Sequence, residues 1–152
     1  MRASAEHGLH GLLLVLAVAV VTAGPIASAA TPALLLFGGK DHNTFLGCLN
    51  CSRLDSGSVC NRFGDFGSQF SDASIWNQFG DYGSRFADTS PWNRLASEPP
   101  VVVDKDGSFY GYFTANRFHD RRTNNKFFRT FLDNADEVNG NLQRARDMFC
   151  GD

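Results

Sequence analysis

The chain has 152 residues, 14 Lys and Arg against 16 Asp and Glu, and a net charge of −2. That balance excludes a polybasic nucleic-acid binder. Aromatics at 12% (14 of them Phe) and charged residues at only 20% exclude a disordered polar tail, a collagen-like chain and a coiled coil.

Arg2 is the only basic residue before an uncharged apolar run from Leu9 to Ala23. Gly24-Pro25 ends any helix there, and Ala27-Ser28-Ala29 offers small residues to a signal peptidase. The run is shorter than the roughly 20 residues a membrane span needs. The expectation is a cleaved signal peptide over 1–29 and a secreted or periplasmic product. Leu46-Gly47-Cys48 has the look of a lipoprotein box but stands too far from the apolar core to serve as one. The remainder is the size of one domain with an adequate core.

Self-similarity is the strongest signal that follows. Arg62–Asn77 reads RFGDFGSQFSDASIWN and Gln78–Asn93 reads QFGDYGSRFADTSPWN, a period of 16 without a gap. Leu46–Asn61 is a degenerate earlier copy in which Cys51 replaces the glycine and Cys60 the tryptophan. Glycines at 64, 67, 80 and 83 exclude ordinary strands, and Ser and Asp at 71–74 and 88–90 suit side-chain-to-backbone turns. The expectation is ordered loops braced on a sheet, with one short helical turn after Ser71 or Asp88 and Trp76 and Trp92 tucked inward.

A second match encloses the first. Phe45–Leu49 and Phe109–Phe113 correspond at an offset of 64. Each follows an apolar triplet and a Gly/Asp turn: Leu34-Leu35-Leu36 in one case, Val101-Val102-Val103 in the other. Both read as β-hairpins, and their likeness places them in one sheet. Beyond Thr123, Phe127, Phe128, Phe131 and Leu132 recur at helical spacing, with a break near Asn139-Gly140. The fold class is therefore α+β: two hairpins in a small antiparallel sheet, Gly/Ser/aromatic loops between them, and a C-terminal helical segment. Residues 30–122 form the hairpin and loop domain, and 123–150 the helical segment packed on it. The expected core holds Trp76, Trp92, Val102, Phe109 and Phe113, covered by Phe128 and Leu132.

The 16-residue unit and the run from Pro99-Pro100 to Asn116 resemble an uncharacterised family of short secreted, mostly bacterial proteins. Their repeats read YGxYGSxYSxxSxWN and lead into a PPVVxD…GxFYGYxTxN hairpin. The likeness covers about Leu34 to Asn116. Phe63, Phe66, Phe70, Phe79 and Phe86 stand where that pattern has Tyr. The resemblance implies secretion and the domain limits, and it carries over no catalytic residue, cofactor or ligand.

Four cysteines, 48, 51, 60 and 150, in an exported chain point to two disulfides. Three pairings exist. The preferred one joins Cys51 to Cys60, closing a short loop where the other repeats use Gly and Trp, and Cys48 to Cys150, tying the helix to the sheet. A redox Cys48-x-x-Cys51 pair and a zinc site made by all four thiolates are the alternatives, the latter lacking a second C-x-x-C.

Trp76 and Trp92 have two readings, core or a stacking platform for sugar rings together with the repeat phenylalanines and Tyr82. Asn61, Asn77 and Asn93 suit the satisfaction of backbone groups. Asp65 and Asp81 are too sparse for calcium, and the Asp104 turn departs from an EF-hand loop. The expectation is thus no cofactor, no metal and no catalytic residue. Five bases against one acid in 117–131, with nine acids against five bases in 41–106, suggest internal complementarity or an anion-binding patch. The functional expectation is a non-catalytic binding or structural domain of the cell envelope or exterior, with an envelope polysaccharide or protein as partner and nucleic acid disfavoured. The alternative is a small secreted hydrolase using surface carboxylates with His42 or His119.

Overall fold

The two apolar triplets and their aromatic partners do form paired strands. A computed structural model describes residues 31–134 and 140–151, and the expected signal peptide lies outside the described residues. Strands β1 (Leu35–Gly38), β2 (Thr44–Cys48), β3 (Val101–Val103) and β4 (Phe109–Tyr112) make one antiparallel sheet in the order β2-β1-β3-β4. The two hairpins share that sheet because β1 pairs with β3, placing Leu36 opposite Val102. Alternation along 34–38 sends Leu34 and Leu36 into the core and leaves Leu35 and Phe37 partly exposed. The second turn is fastened by Asp104, whose carboxylate accepts from the Asp106 and Ser108 N–H groups and from the Tyr110 hydroxyl. The Ser108 bond, first among these, holds the Asp104 carboxyl below the usual carboxylate range.

The correspondence at offset 64 extends well past the hairpins. Gly47 and Gly111 both have positive φ, 113° and 96°, at equivalent places. A Cβ at Gly47 would press on Val59 and Phe66, and one at Gly111 on the Thr123 backbone. Past each glycine the chain makes the same pair of bonds. Cys48 N–H donates to the Gly57 carbonyl and Val59 N–H to Cys48, as Tyr112 does to Arg121 and Thr123 to Tyr112.

Between the hairpins the chain winds through successive tight turns, with no helical residue, so the expected helical turn after Ser71 or Asp88 does not form. From Asn77, backbone bonds step to Gly80, Ser84, Ala87, Ser90 and Asn93, one four-residue step among three-residue ones. That sum of steps is the 16-residue period. Each asparagine closes its coil. The amides of Asn61, Asn77 and Asn93 donate to the carbonyls of Asp55, Ser71 and Ala87, each at 3.2 Å. Their oxygens accept from the N–H two residues ahead. Gly67 and Gly83 pack directly on the Asn61 and Asn77 carbonyls, leaving no room for a Cβ. Successive coils are joined by tryptophan: the Trp76 indole donates to the Val59 carbonyl at 2.7 Å and Trp92 to the Ile75 carbonyl. The two rings lie 5.4 Å apart.

The same logic explains where the winding stops. Asn125 is the offset-64 equivalent of Asn61, and its side chain again accepts from a nearby N–H. Here, however, that N–H belongs to Phe128 and caps helix α1 (Lys126–Asp133). The equivalents of Gly64 and Gly67 are Phe128 and Phe131, and there the chain continues as a helix rather than as a further coil. Helix α2 (Leu142–Cys150) follows, capped by Asn141 and ended by Gly151 at φ 72°. It lies across the coils: Gln143 reaches the Trp76 carbonyl, Arg146 the Gly67 carbonyl and Asp147 the Arg62 guanidinium. Phe149 sits among Trp76, Phe113, Phe127, Phe128 and Phe131, all within 6.4 Å ring to ring.

Trp76, Trp92, Val102, Phe113, Phe128 and Leu132 are buried as expected. Phe109 is not; it is 42% exposed at the turn end of β4, where the Arg121 guanidinium lies 4.5 Å over its ring. The cysteine pairing also differs from the preferred one. The bonds are Cys48–Cys51 and Cys60–Cys150. β2 ends at Cys48, so Cys51 lies in the following turn and folds back, which a continued strand would prevent. Cys60 stands in the column of Trp76 and Trp92 and meets the end of α2 there.

Substituting Gly67 or Gly83 by Ala should lower stability by at least about 2 kcal/mol, because a backbone carbonyl must move. Neither glycine has a positive φ, so the cost is that of the clash alone; Gly107→Ala, in open space at φ 82°, gives the converse case of positive φ without a clash. Chemical denaturation of the three variants measures this. Breaking Cys60–Cys150, which closes 90 residues, should cost about 4.5 kcal/mol against about 2 kcal/mol for Cys48–Cys51 in the chain-entropy account. Paired Cys→Ser variants melted side by side test the ordering.

Candidate functional site

The coils sort their apolar side chains by a local rule. Where a serine is followed by two apolar residues, as in Ser58-Val59-Cys60, Ser74-Ile75-Trp76 and Ser90-Pro91-Trp92, the corner turns inward. Where Asn or Ser is followed by Arg or Gln and then Phe or Leu, the corner turns outward. Seven such tripeptides end at Leu54, Phe63, Phe70, Phe79, Phe86, Leu95 and Phe118. In each, the last N–H donates to the side chain of the first residue. The inward corners make the same bond, from the Cys60, Trp76 and Trp92 N–H groups to Ser58, Ser74 and Ser90, so it fixes each corner and not its direction; what the outward corners share is an apolar tip in solvent. All seven are 78–98% exposed. Contiguous exposed apolar surface is a feature that interaction faces of proteins share.

Six of them fall into two series with a spacing of 16, Leu54/Phe70/Phe86 and Phe63/Phe79/Leu95, and they flank grooves. One groove of about 470 Å3 lies between Leu54 and Phe63, over Cys60. A second of about 670 Å3 lies between Phe70 and Phe79, over Trp76. Adding 16 to every lining residue of the first, 53, 54 and 60–63, gives residues that all line the second. A third of about 560 Å3 is walled by Phe79 and Phe86 over Trp92. The start of α2, with Gly140 and Leu142, borders the second and third grooves.

Trp76 and Trp92 therefore belong to the core, 1% and 7% exposed, while still flooring two grooves. Tyr82 is partly buried against Gly38 and Gly39 of the first hairpin, away from the grooves' lining. The outward phenylalanines carry the exposed surface instead. What separates them from the tryptophans in the sequence is the residue just before, Arg or Gln as against Ile or Pro.

The remaining candidates are engaged within the fold. His42 donates from Nε2 to the Pro99 carbonyl at 3.0 Å, and His119 Nδ1 accepts from the Arg121 N–H. Both imidazoles pack on Tyr112, at 5.5 and 4.3 Å ring to ring. Burial lowers the pKa of His119, favouring the neutral ring. In the basic stretch, Arg117 and Arg122 both pair with Asp133, at 3.4 and 2.9 Å, and Arg121 stacks on Phe109. The complement of Arg117 and Arg122 is thus internal. Among the described residues there is no group of three or more His, Cys, Asp or Glu able to hold a metal ion. Nor, among them, is any helix long and apolar enough to cross a membrane.

No family model, curated protein or solved structure matches this chain.

Trp76→Ala should cost about 3–5 kcal/mol of stability through its buried volume. Phe79→Ser, at an 88% exposed position, should leave the melting temperature within about 2 °C of the parent, since exposed positions rarely cost more than about 0.5 kcal/mol. One thermal melt per variant separates the two roles.

Proposed function

We propose that this protein is a secreted, non-catalytic binding domain acting at the cell envelope or outside the cell, and that it binds through the outward phenylalanines and the grooves between them. The observation carrying this reading is the set of seven largely exposed apolar side chains, six of them recurring at the 16-residue period beside grooves. Exposing phenylalanine has no folding benefit, so a surface built to do so is explained by what it contacts. Two disulfides suit an oxidising compartment, which agrees with the apolar N-terminal run and its small-residue site. The resemblance to short secreted repeat proteins belongs to the same reading, with the 16-residue unit as the element that multiplies the contact surface.

The test is adsorption of the purified mature chain to an insoluble envelope preparation from the producing organism. Saturable adsorption, lost in Phe70→Ser/Phe79→Ser at unchanged melting temperature, is the expected result. Adsorption equal in parent and double variant would overturn the assignment of this face. Turnover of an envelope polymer, abolished by His119→Asn with folding intact, would replace the binding reading by a hydrolase.

A further inference from the structure

The grooves have a property that a single-site binding pocket lacks: they are copies of one another at the spacing of the coils. The residues lining the Leu54/Phe63 groove, advanced by 16, all line the Phe70/Phe79 groove, and Arg85, Phe86 and Trp92 of the next groove continue the series. At the floor of neighbouring grooves the equivalent Trp76 and Trp92 rings lie 5.4 Å apart. A surface that repeats at so short an interval is complementary to a ligand that also repeats.

The lining says which chemistry that ligand has. The walls are the faces and edges of Phe70, Phe79 and Phe86, which favour flat apolar C–H surfaces. At their rims stand the carboxamides of Gln69 and Gln78, both exposed, the latter shared by two grooves. A carboxamide both donates and accepts, and so matches hydroxyl groups, which do the same. Arg53 and Arg62, the latter paired with Asp147 at 2.8 Å, line the first groove and Arg85 the third, while the middle groove between Phe70 and Phe79 has no charged residue in its lining. A polyanion therefore has less to gain there than a neutral polymer, and a lipid surface makes no use of the carboxamides or of the concave walls.

From these features we infer that the grooves together bind one extended, neutral polysaccharide chain, running across the coils from the Leu54/Phe63 groove toward the Phe79/Phe86 groove. This rests on the proposed binding role of the same face and names its ligand class. Sugar rings pack their apolar faces on the phenylalanines, and their hydroxyls pair with Gln69 and Gln78. Affinity then grows with chain length, because a longer oligomer occupies a further groove without a further loss of rotational and translational freedom.

The experiment titrates the mature protein with neutral β-linked glucose and N-acetylglucosamine oligomers, from disaccharide to hexasaccharide, followed by tryptophan fluorescence and calorimetry. Polygalacturonate and vesicles of phosphatidylglycerol are run as separate arms. In at least one neutral series, affinity should rise by about tenfold or more between disaccharide and hexasaccharide. Phe79→Ser, removing a wall shared by two grooves, should abolish that gain, and Gln78→Leu should weaken glycan binding while leaving the melting temperature unchanged. Affinity independent of length, or no binding to either neutral series, overturns the inference. Vesicle binding that Gln78→Leu strengthens, or polygalacturonate binding that salt abolishes, overturns it too, yet leaves the phenylalanine face as the binding surface. Envelope adsorption indifferent to Phe70→Ser/Phe79→Ser would remove both readings together.

Discussion

The winding of the chain between its two hairpins depends on one close contact. The carbonyl of Asn61 occupies the space where residue 67 would carry a Cβ, and Asn77 does the same to residue 83. With glycine there, each coil closes on its own beginning, and the asparagine amide can reach the carbonyl six residues back. The closed coil presents Ser-Ile-Trp and Ser-Pro-Trp corners inward, and the indole bonds to Val59 and Ile75 then join coil to coil. At Asn125 the same asparagine cap opens a helix, with Phe128 and Phe131 in the places of the two glycines. The close contact thus holds the winding at Asn61 and Asn77, while the residue before each ring sets whether that ring faces in or out.

The α+β class, the shared sheet and most of the core were readable because they rest on patterns that sequence displays directly: apolar triplets before turns, an offset of 64, and helical spacing in Phe128 and Leu132. The misplaced side chain was Phe109. Its position in the pattern matches the buried Phe113, but it stands at the end of the strand, where cover comes from Arg121 rather than from the core. Strand limits are the property that periodicity reports least well. The cysteine pairing failed for a related reason. The preference for Cys51–Cys60 rested on the repeat columns, whereas β2 ends at Cys48 and lets Cys51 fold back on it.

The candidate binding face was only half legible. Aromatic richness in the 16-residue units was evident, yet Trp76 and Trp92 looked like its natural centre, being the largest rings available. Their burial follows from the apolar residue before each, Ile75 or Pro91, which the coil turns inward together with the ring. The phenylalanines after Arg or Gln are turned out by the same three-residue rhythm. Neither period 2 nor period 3.6 detects a rhythm of three, so the division between inner and outer aromatics emerges only once the turns are known.

Helix α2 adds a dimension of length to this arrangement. Gln143 reaches Trp76, and Cys150, seven residues on, is bonded to Cys60, which stands one 16-residue unit before Trp76. Seven residues of α-helix rise about 10.5 Å, or two turns, so two turns of α2 span one coil, and the disulfide at Cys150 pins that register at one end. α2 thus behaves as a ruler for the stack. A chain that gained a further 16-residue unit between Cys60 and Trp76 would need about two more helical turns in α2 to keep both contacts.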